Sequence, residues 1–118
     1  MTTEFGKMVL KKTLEKGITL KDIATGIGMS DAEISYIVRG KIKSQDVQKR
    51  IEEYVDSLED NCKISDYEKE IRFKLIDADM PVSKLAKKLE ISRAAAYYAI
   101  TNKRGYDKIR ERIEEMLV

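Results

Sequence analysis

The sequence predicts an all-α protein made of two tandem four-helix modules, each containing a helix-turn-helix. The composition, 42% hydrophobic and 37% charged with one proline and no tryptophan, is typical of a mostly helical chain. The sequence also repeats itself. Displaced by 62 positions, the separation of Tyr36 from Tyr98, residues 5–55 align with residues 67–117 without a gap. A repeat of this kind indicates duplication of one structural unit.

Both the identities and the apolar pattern recur in the two copies. The apolar positions recur as a class, for example Ile23 with Leu85 and Ile27 with Leu89. Identical residues recur at Lys7, Lys12, Ala24, Ser30, Ala32, Tyr36, Lys41 and the run Arg50-Ile51-Glu52-Glu53. We therefore predict modules at residues 1–60 and 65–118, separated by the polar segment 59–64.

Capping residues and apolar spacing set the outer helices of each module. The first helix opens near Thr3 and ends at Gly17, and the fourth begins after Ser44. The inward positions are Phe5, Val9 and Leu14 in the first helix and Val47, Ile51, Val55 and Leu58 in the fourth. In the second copy these positions are Ile71, Leu75 and Ile76, then Ile109, Ile113, Met116 and Leu117.

Four features mark the second copy. Ser65 and Glu68 form a capping-box pattern, and Pro81 stands at the start of the next helix, where a missing N–H costs nothing. Asn102 replaces Gly40 as the left-handed C-cap. Small Ala96 and Ala99 predict either a closer approach of the helices or a core filled by Tyr97 or another neighbour.

The stretch from Leu20 to Gly40 predicts two short helices joined by a tight turn. Ile23, Ala24 and Ile27 share one face of the first helix, and Ile34 and Ile37 share one face of the second. Gly28 permits a positive φ at the turn, and Ser30 with Glu33 forms a capping box. This is the pattern of a helix-turn-helix, whose second helix can enter a DNA major groove.

This stretch resembles the helix-turn-helix of the lambda-repressor and Cro family of small phage and bacterial DNA-binding regulators. The matching residues are Ala24, Gly28, Ile34 and Ile37, which supply the small, glycine and two apolar positions in register. The second copy departs from the pattern at Glu90, which stands in the place of Gly28. Glutamate there must either adopt a positive φ or shift the turn.

Burial of Ile34 and Ile37 leaves an outward face on each second helix of the pair. The base-reading candidates on these faces are Ser30, Asp31, Ala32, Ser35 and Tyr36, and Ser92, Arg93, Ala94, Tyr97 and Tyr98. The resemblance implies base contacts from Asp31, Ala32, Tyr36, Arg93, Ala94 and Tyr98. Arg93 is the strongest candidate, because a guanidinium can bind guanine through two hydrogen bonds. For Asp31 and Glu33 we favour helix-dipole stabilisation over base contact.

Phosphate contacts should flank these helices. The candidates are Lys21, Arg39, Lys41 and Lys43, then Ser83, Thr101, Lys103 and Arg104. Residues 1–62 carry 10 basic and 11 acidic groups, whereas residues 63–118 carry 13 and 10. On charge alone the second module is the better binder of a polyanion.

The remaining features argue against other classes of protein. The sequence has one cysteine, Cys62, and no histidine, so an intrachain disulfide, a cysteine-rich zinc site and the common acid–base chemistries are not expected. No nucleophile motif or phosphate loop is present. We expect no enzymatic activity, no cofactor and no bound metal. No apolar run is long enough for a membrane span, which makes a cytoplasmic protein the expectation.

Together these expectations predict a sequence-specific transcriptional regulator that binds double-stranded DNA. The resemblance implies a repressor of phage or mobile-element type. Two recognition helices in one chain would form a pseudo-dimer of modules, and two chains could form a homodimer. A near-palindromic site and a direct repeat both remain open. The alternative is an adaptor or antirepressor in which one or both modules bind a protein partner.

Overall fold

The computed structural model describes residues 2–117, and within this range the chain forms eight α-helices and no strand. This confirms the all-α prediction. The helices are α1 (Glu4–Lys16), α2 (Leu20–Ile27), α3 (Asp31–Val38), α4 (Gln45–Asp56), α5 (Asp66–Asp77), α6 (Val82–Leu89), α7 (Arg93–Ile100) and α8 (Asp107–Leu117). None of these eight combines the length and the apolar character that a membrane-crossing helix requires.

The chain divides into two compact units between Lys63 and Ile64, inside the polar segment. The first unit contains α1–α4 and the second contains α5–α8, and each has its own apolar core. The first core is built on Val9, Ile23, Ala24, Ile34, Ile37, Val38, Ile51 and Val55. The second is built on Ile71, Leu75, Leu85, Leu89, Ala99, Ile100 and Ile113.

The sequence repeat has a counterpart in the backbone. Three left-handed residues of the first unit have left-handed counterparts 62 positions later: Gly17 with Asp79, Gly28 with Glu90, and Gly40 with Asn102. Helices α2 and α6 each span eight residues, as do α3 and α7. The two copies therefore place their turns at equivalent positions although only the first uses glycine at all three.

In the first unit, α1 approaches α3 at a glycine. A Cβ built on Gly6 would lie 2.1 Å from the carbonyl oxygen of Val38, which only a residue without a side chain avoids. The hydroxyl of Thr3 also donates to that oxygen, at 3.2 Å. The buried position next along α1 is Thr13 rather than Leu14, and α4 ends at Asp56, so that Leu58 lies beyond the helix.

The second unit differs from the first in how its core is filled. Ala96 and Ala99 are fully buried, and Ile100, in the place of Val38, is buried completely beside them. Tyr97 is 47% exposed and does not fill the core, so of the two residues allowed by the second predicted alternative it is the other neighbour that is buried there. A larger aliphatic residue one position along α7 takes that role.

Two predicted helix starts of the second unit differ in detail from the prediction. Ser65 accepts from the N–H of Glu68 at 3.1 Å, but the carboxylate of Glu68 accepts from Arg72 at 2.7 Å instead of returning to the cap. The predicted capping box is therefore only half formed, because Glu68 is buried and its charge is satisfied by the arginine one turn later. Pro81 is the N-cap of α6 and precedes the first helical residue.

Candidate nucleic-acid interface

Helices α2 and α3 are joined by a tight turn, and α6 and α7 are joined by a similar one. In the first unit the N–H of Met29 donates to the carbonyl of Ala24 at 2.8 Å, across Gly28 at φ 74°. In the second, the N–H of Ile91 donates to the carbonyl of Ala86 at 3.0 Å, across Glu90 at φ 56°. Glu90 thus takes the first of its two predicted outcomes: it adopts the positive φ and the turn is kept.

An arginine from the fourth helix of each unit donates to a backbone carbonyl at the start of this turn. The guanidinium of Arg50 donates to the carbonyl of Ile27 at 2.5 Å, and that of Arg112 donates to the carbonyl of Leu89 at 2.7 Å. These carbonyls lie at the last residues of α2 and α6, where helical partners are missing. The sequence prediction did not include this contact, although the recurrence of Arg50 as Arg112 indicated a shared role for the two arginines.

The outward face of α3 begins with carboxylates. Asp31, Ala32 and Glu33 are exposed, and the predicted capping box is present: Ser30 accepts from the N–H of Glu33 at 3.2 Å. The hydroxyl of Ser30 also donates to the Glu33 carboxylate at 3.0 Å, so this base-reading candidate is already engaged. Ser35 is half-buried, which corrects its prediction as an exposed residue, because Val38, its neighbour three residues later on the same side of α3, is buried.

The outward face of α7 carries no carboxylate in its first turn. Arg93 and Ala94 are exposed, and Tyr97 is the most exposed large apolar side chain of this helix, at 47%. The hydroxyl of Ser92 accepts from the N–H of Ala95 at 3.0 Å. This cap lacks the carboxylate partner that occupies the hydroxyl of Ser30.

Two predicted residues at the end of α7 are less accessible than expected. Tyr98 is half-buried, because its ring packs against Tyr106 with centroids 5.6 Å apart and against Tyr97 at 6.1 Å. Thr101 is half-buried as well, and its hydroxyl donates to the carbonyl of Tyr98 at 3.2 Å. In contrast Tyr36, the counterpart of Tyr98, is 42% exposed.

The other phosphate candidates lie on the surface. The exposed members of this set are Lys21, Arg39, Lys41, Lys43, Ser83, Lys103 and Arg104. Two of them form a recurrent contact: Lys41 lies over the ring of Tyr36 at 5.8 Å, and Lys103 lies over the ring of Tyr98 at 4.8 Å. Each pair orients an ammonium group just after the last turn of α3 or α7.

Three further lysines are exposed in the second helix pair and were missed by the sequence prediction. Lys84, Lys87 and Lys88 are exposed on α6, and none forms an ion pair with another described residue. Their counterparts in the first copy are Asp22, Thr25 and Gly26. A position-by-position charge comparison of the two copies is the signal that finds them.

We call residues 20–43 the first pair segment and residues 82–105 the second pair segment. The first has four basic and three acidic residues, a net of +1, and the second has six and one, a net of +5. Among residues 2–117 no group of three or more acidic or cysteine side chains is placed to hold a metal ion. Because its net charge is +5, the second pair segment favours an anionic ligand.

Comparison of the chain with protein-family models, with curated proteins and with solved structures gave no match.

Proposed function

We propose that the protein is a sequence-specific, double-stranded DNA-binding regulator of transcription. In this proposal α2–α3 and α6–α7 are helix-turn-helix pairs, and α3 and α7 occupy the recognition-helix position of their pairs. The observation that carries the proposal is the second pair segment, with its net charge of +5 and a short helix whose exposed first turn presents Arg93. A short exposed helix flanked by cations has the shape and the charge that a major groove accepts.

Within α7 the exposed residues divide into two roles. Arg93 and Ala94 lie in the first turn, where side chains of a recognition helix meet base edges, and Tyr97 lies one turn later on the same exposed face. Lys103 and Arg104 follow the helix and are placed to meet phosphates. The small side chain of Ala94 leaves room for a thymine methyl group.

The test is selection of bound duplexes from a random DNA pool by the full chain, followed by affinity measurements at several salt concentrations. We expect a sequence preference and an affinity that falls as salt rises, because phosphate contacts release counterions. Arg93→Ala should lower the preference for the selected site by roughly 10- to 100-fold, since a bidentate base contact is lost.

Lys108→Ala is the control for loss of one positive charge, because Lys108 is exposed on α8 outside both pair segments. It should leave the preference unchanged. Absence of any salt-sensitive preference in the unaltered protein would overturn the proposal. A preference that survives Arg93→Ala would exclude Arg93 as a base reader.

A second candidate function, binding of a protein partner, is favoured by one observation on the first unit. Tyr36 and Ile42 are exposed large apolar residues, at 42% and 40%, beside the acidic first turn of α3. Exposed aromatic and aliphatic side chains near charge are typical of protein interfaces. Capture of a defined protein partner that is lost in Tyr36→Ala, without DNA binding by the full chain, would favour this reading.

A further inference from the structure

We infer that the two copies have diverged in function, so that the second unit alone supplies the phosphate-binding surface for DNA, centred on Lys84, Lys87 and Lys88 of α6. This inference rests on the proposed function and names the part of the molecule that performs it. The predicted consequence is a single recognition helix per chain, α7, rather than two equivalent ones.

Equivalent positions of the two copies differ in charge. Asp22 is replaced by Lys84, and Asp31 is replaced by Arg93. Glu33 becomes Ala95, and neutral Thr25 and Gly26 become Lys87 and Lys88. With Arg104 in the place of Ile42, these differences add eight positive charges to the second pair segment. Four other positions each remove one: Ser83, Glu90, Thr101 and Gly105 stand in the places of Lys21, Gly28, Arg39 and Lys43. The net gain is four charges, and within α6 the gain of four from its three lysines exceeds the loss of one at Ser83.

Two carboxylates of the first pair segment lie at helix starts. Asp22 accepts from the N–H of Thr19 at 2.8 Å, and Glu33 accepts from the N–H of Ser30 at 3.3 Å. Both capping boxes therefore hold a carboxylate at the start of a helix, on an exposed surface. A phosphate that approached the starts of α2 and α3 would meet these fixed negative charges.

The lysines of α6 form no ion pair with another described residue. In the first unit Lys12 and Lys16 pair with Asp56 and Asp60. No described residue pairs with the ammonium groups of Lys84, Lys87 and Lys88, which lie on the side of α6 opposite the buried Leu85 and Ala86. Three exposed lysines within five residues of one helix repel each other, and a polyanion removes that repulsion.

The test compares three triple variants of the full chain that each remove three positive charges. One is Lys84→Gln/Lys87→Gln/Lys88→Gln on α6. The second is Lys21→Gln/Lys41→Gln/Lys43→Gln in the first pair segment, and the third is Lys49→Gln/Lys63→Gln/Lys108→Gln outside both segments. All nine side chains are exposed, so circular dichroism should show unchanged helix content in each variant.

We expect the α6 triple to lose affinity for the selected duplex by on the order of 100-fold at 0.1 M salt, and its plot of log K against log salt should flatten by about 2–3. The first-segment triple should weaken binding no more than the triple outside the segments. Equal losses from the α6 and first-segment triples would overturn the inference while leaving the proposed function intact. A larger loss from the first-segment triple would also overturn it.

Failure of the unaltered chain to bind any duplex would instead overturn the proposed function itself. A second variant, Asp22→Lys/Asp31→Arg, adds the missing cations to the first unit. We expect it to raise affinity for non-specific duplex and to steepen the salt dependence. No change in either quantity would show that the first unit is kept from DNA by something other than its charge, and would overturn the inference.

Discussion

At the scale of single residues, Glu90 and Gly28 show how one backbone conformation is reached by two side chains. Both residues are left-handed, at φ 56° and φ 74°. A left-handed conformation costs an ordinary L-residue roughly 1–2 kcal/mol, and glycine avoids that cost. Glu90 persists there because the flanking helices α6 and α7 and the bond from Ile91 to Ala86 determine the turn.

Tyr67 is a second residue whose surroundings change its chemistry. It stands in the place of Phe5, and its hydroxyl is buried without a hydrogen-bond partner of normal geometry among the described residues. Burial raises the pKa of Tyr67 to about 12, and the carboxylate of Glu114 adds to the rise without completing a well-formed hydrogen bond. The folded second unit therefore favours the neutral phenol.

Tyr67→Phe tests this environment. Since the pKa of Tyr67 is raised in the folded state from the ordinary value of 10 to about 12, its titration leaves the free energy of unfolding unchanged below pH 10 and lowers it as the pH rises from 10 to 12. The variant should reduce the loss of stability between pH 10 and 12. At pH 7 it should raise the free energy of unfolding by about 1 kcal/mol, because an unpaired buried hydroxyl is removed. Urea denaturation at several pH values measures both effects.

Tyr97→Phe is the matched control, because Tyr97 is largely exposed. It should leave the alkaline loss of stability unchanged. A loss of stability in Tyr67→Phe at pH 7 would mean that the hydroxyl makes a favourable hydrogen bond in the folded protein.

At the scale of elements, the fourth helix of each unit stabilises the helix pair next to it. Ile51 of α4 and Ile113 of α8 are fully buried in the two cores, and the neighbouring arginines bind the ends of α2 and α6. One helix thus supplies both apolar packing and a cap. The identical Arg-Ile sequence at residues 50–51 and 112–113 reflects this double role.

Arg112→Met should weaken the end of α6 while its aliphatic chain keeps most of the packing. The carbonyl of Leu89 loses its charged donor, and we expect a loss of about 1 kcal/mol of local stability. Amide hydrogen exchange should become faster in the last turn of α6 and in the turn to α7. Arg50→Met should have the same effect on α2.

Lys108→Met is the control on the same helix, since Lys108 is exposed and forms no ion pair with another described residue. It should leave exchange in α6 unchanged. Unaltered exchange in Arg112→Met would show that the bond to Leu89 contributes nothing to the stability of the turn.

At the scale of the whole molecule, two copies of one helical arrangement carry different cores and different surfaces. The two cores share an isoleucine at the equivalent positions Ile51 and Ile113, but Ile34 and Ile37 of the first are replaced by Ala96 and Ala99 in the second. Outside the pair segments the first copy, residues 1–62, has six basic and eight acidic groups, and residues 63–118 have seven and nine. The charge difference between the copies therefore lies entirely in the pair segments, which is where a difference in ligand would be expected.

Ile34→Ala tests whether the two cores are energetically separate. Ile34 is fully buried, and its counterpart is Ala96. Deletion of its side chain should cost about 2–5 kcal/mol, because the first core lacks the larger Ile100 that accompanies Ala96 in the second. Hydrogen exchange should accelerate in α1–α4 and stay unchanged in α5–α8. Ile42→Ala, at an exposed position, should change neither, and equal acceleration in all eight helices would contradict the prediction.

The helices and much of the core were predictable because they follow from short-range rules. Capping by Thr3, Ser30, Ser44 and Ser92 places helix starts within the local chain, and apolar spacing identifies residues such as Ile23, Ile34 and Ile51 as buried. Where the capping pattern failed, a second local contact competed with it. The carboxylate of Glu68 does not accept from the cap N–H because it is buried and accepts from the guanidinium of Arg72 instead.

The candidate surface was predictable only in part. Local periodicity correctly places Asp31, Ala32, Arg93 and Ala94 on exposed faces of short helices. It overestimates the exposure of Tyr98 and Thr101, because the burial of Tyr98 depends on Tyr106, a residue beyond the end of its own helix. The exposed lysines of α6 were available in the sequence but required comparison with the first copy to be noticed.

The sequence by itself determined that this chain is helical, that it is duplicated, and that positive charge is concentrated in the second copy, since composition, periodicity and charge are properties of the chain alone. Only the tertiary structure decided that Arg50 and Arg112 reach the carbonyls of Ile27 and Leu89, and that Ile100 rather than Tyr97 fills the space left by two alanines. Those contacts depend on how helices separated along the chain cross, and crossing positions are set by the packing of the whole unit.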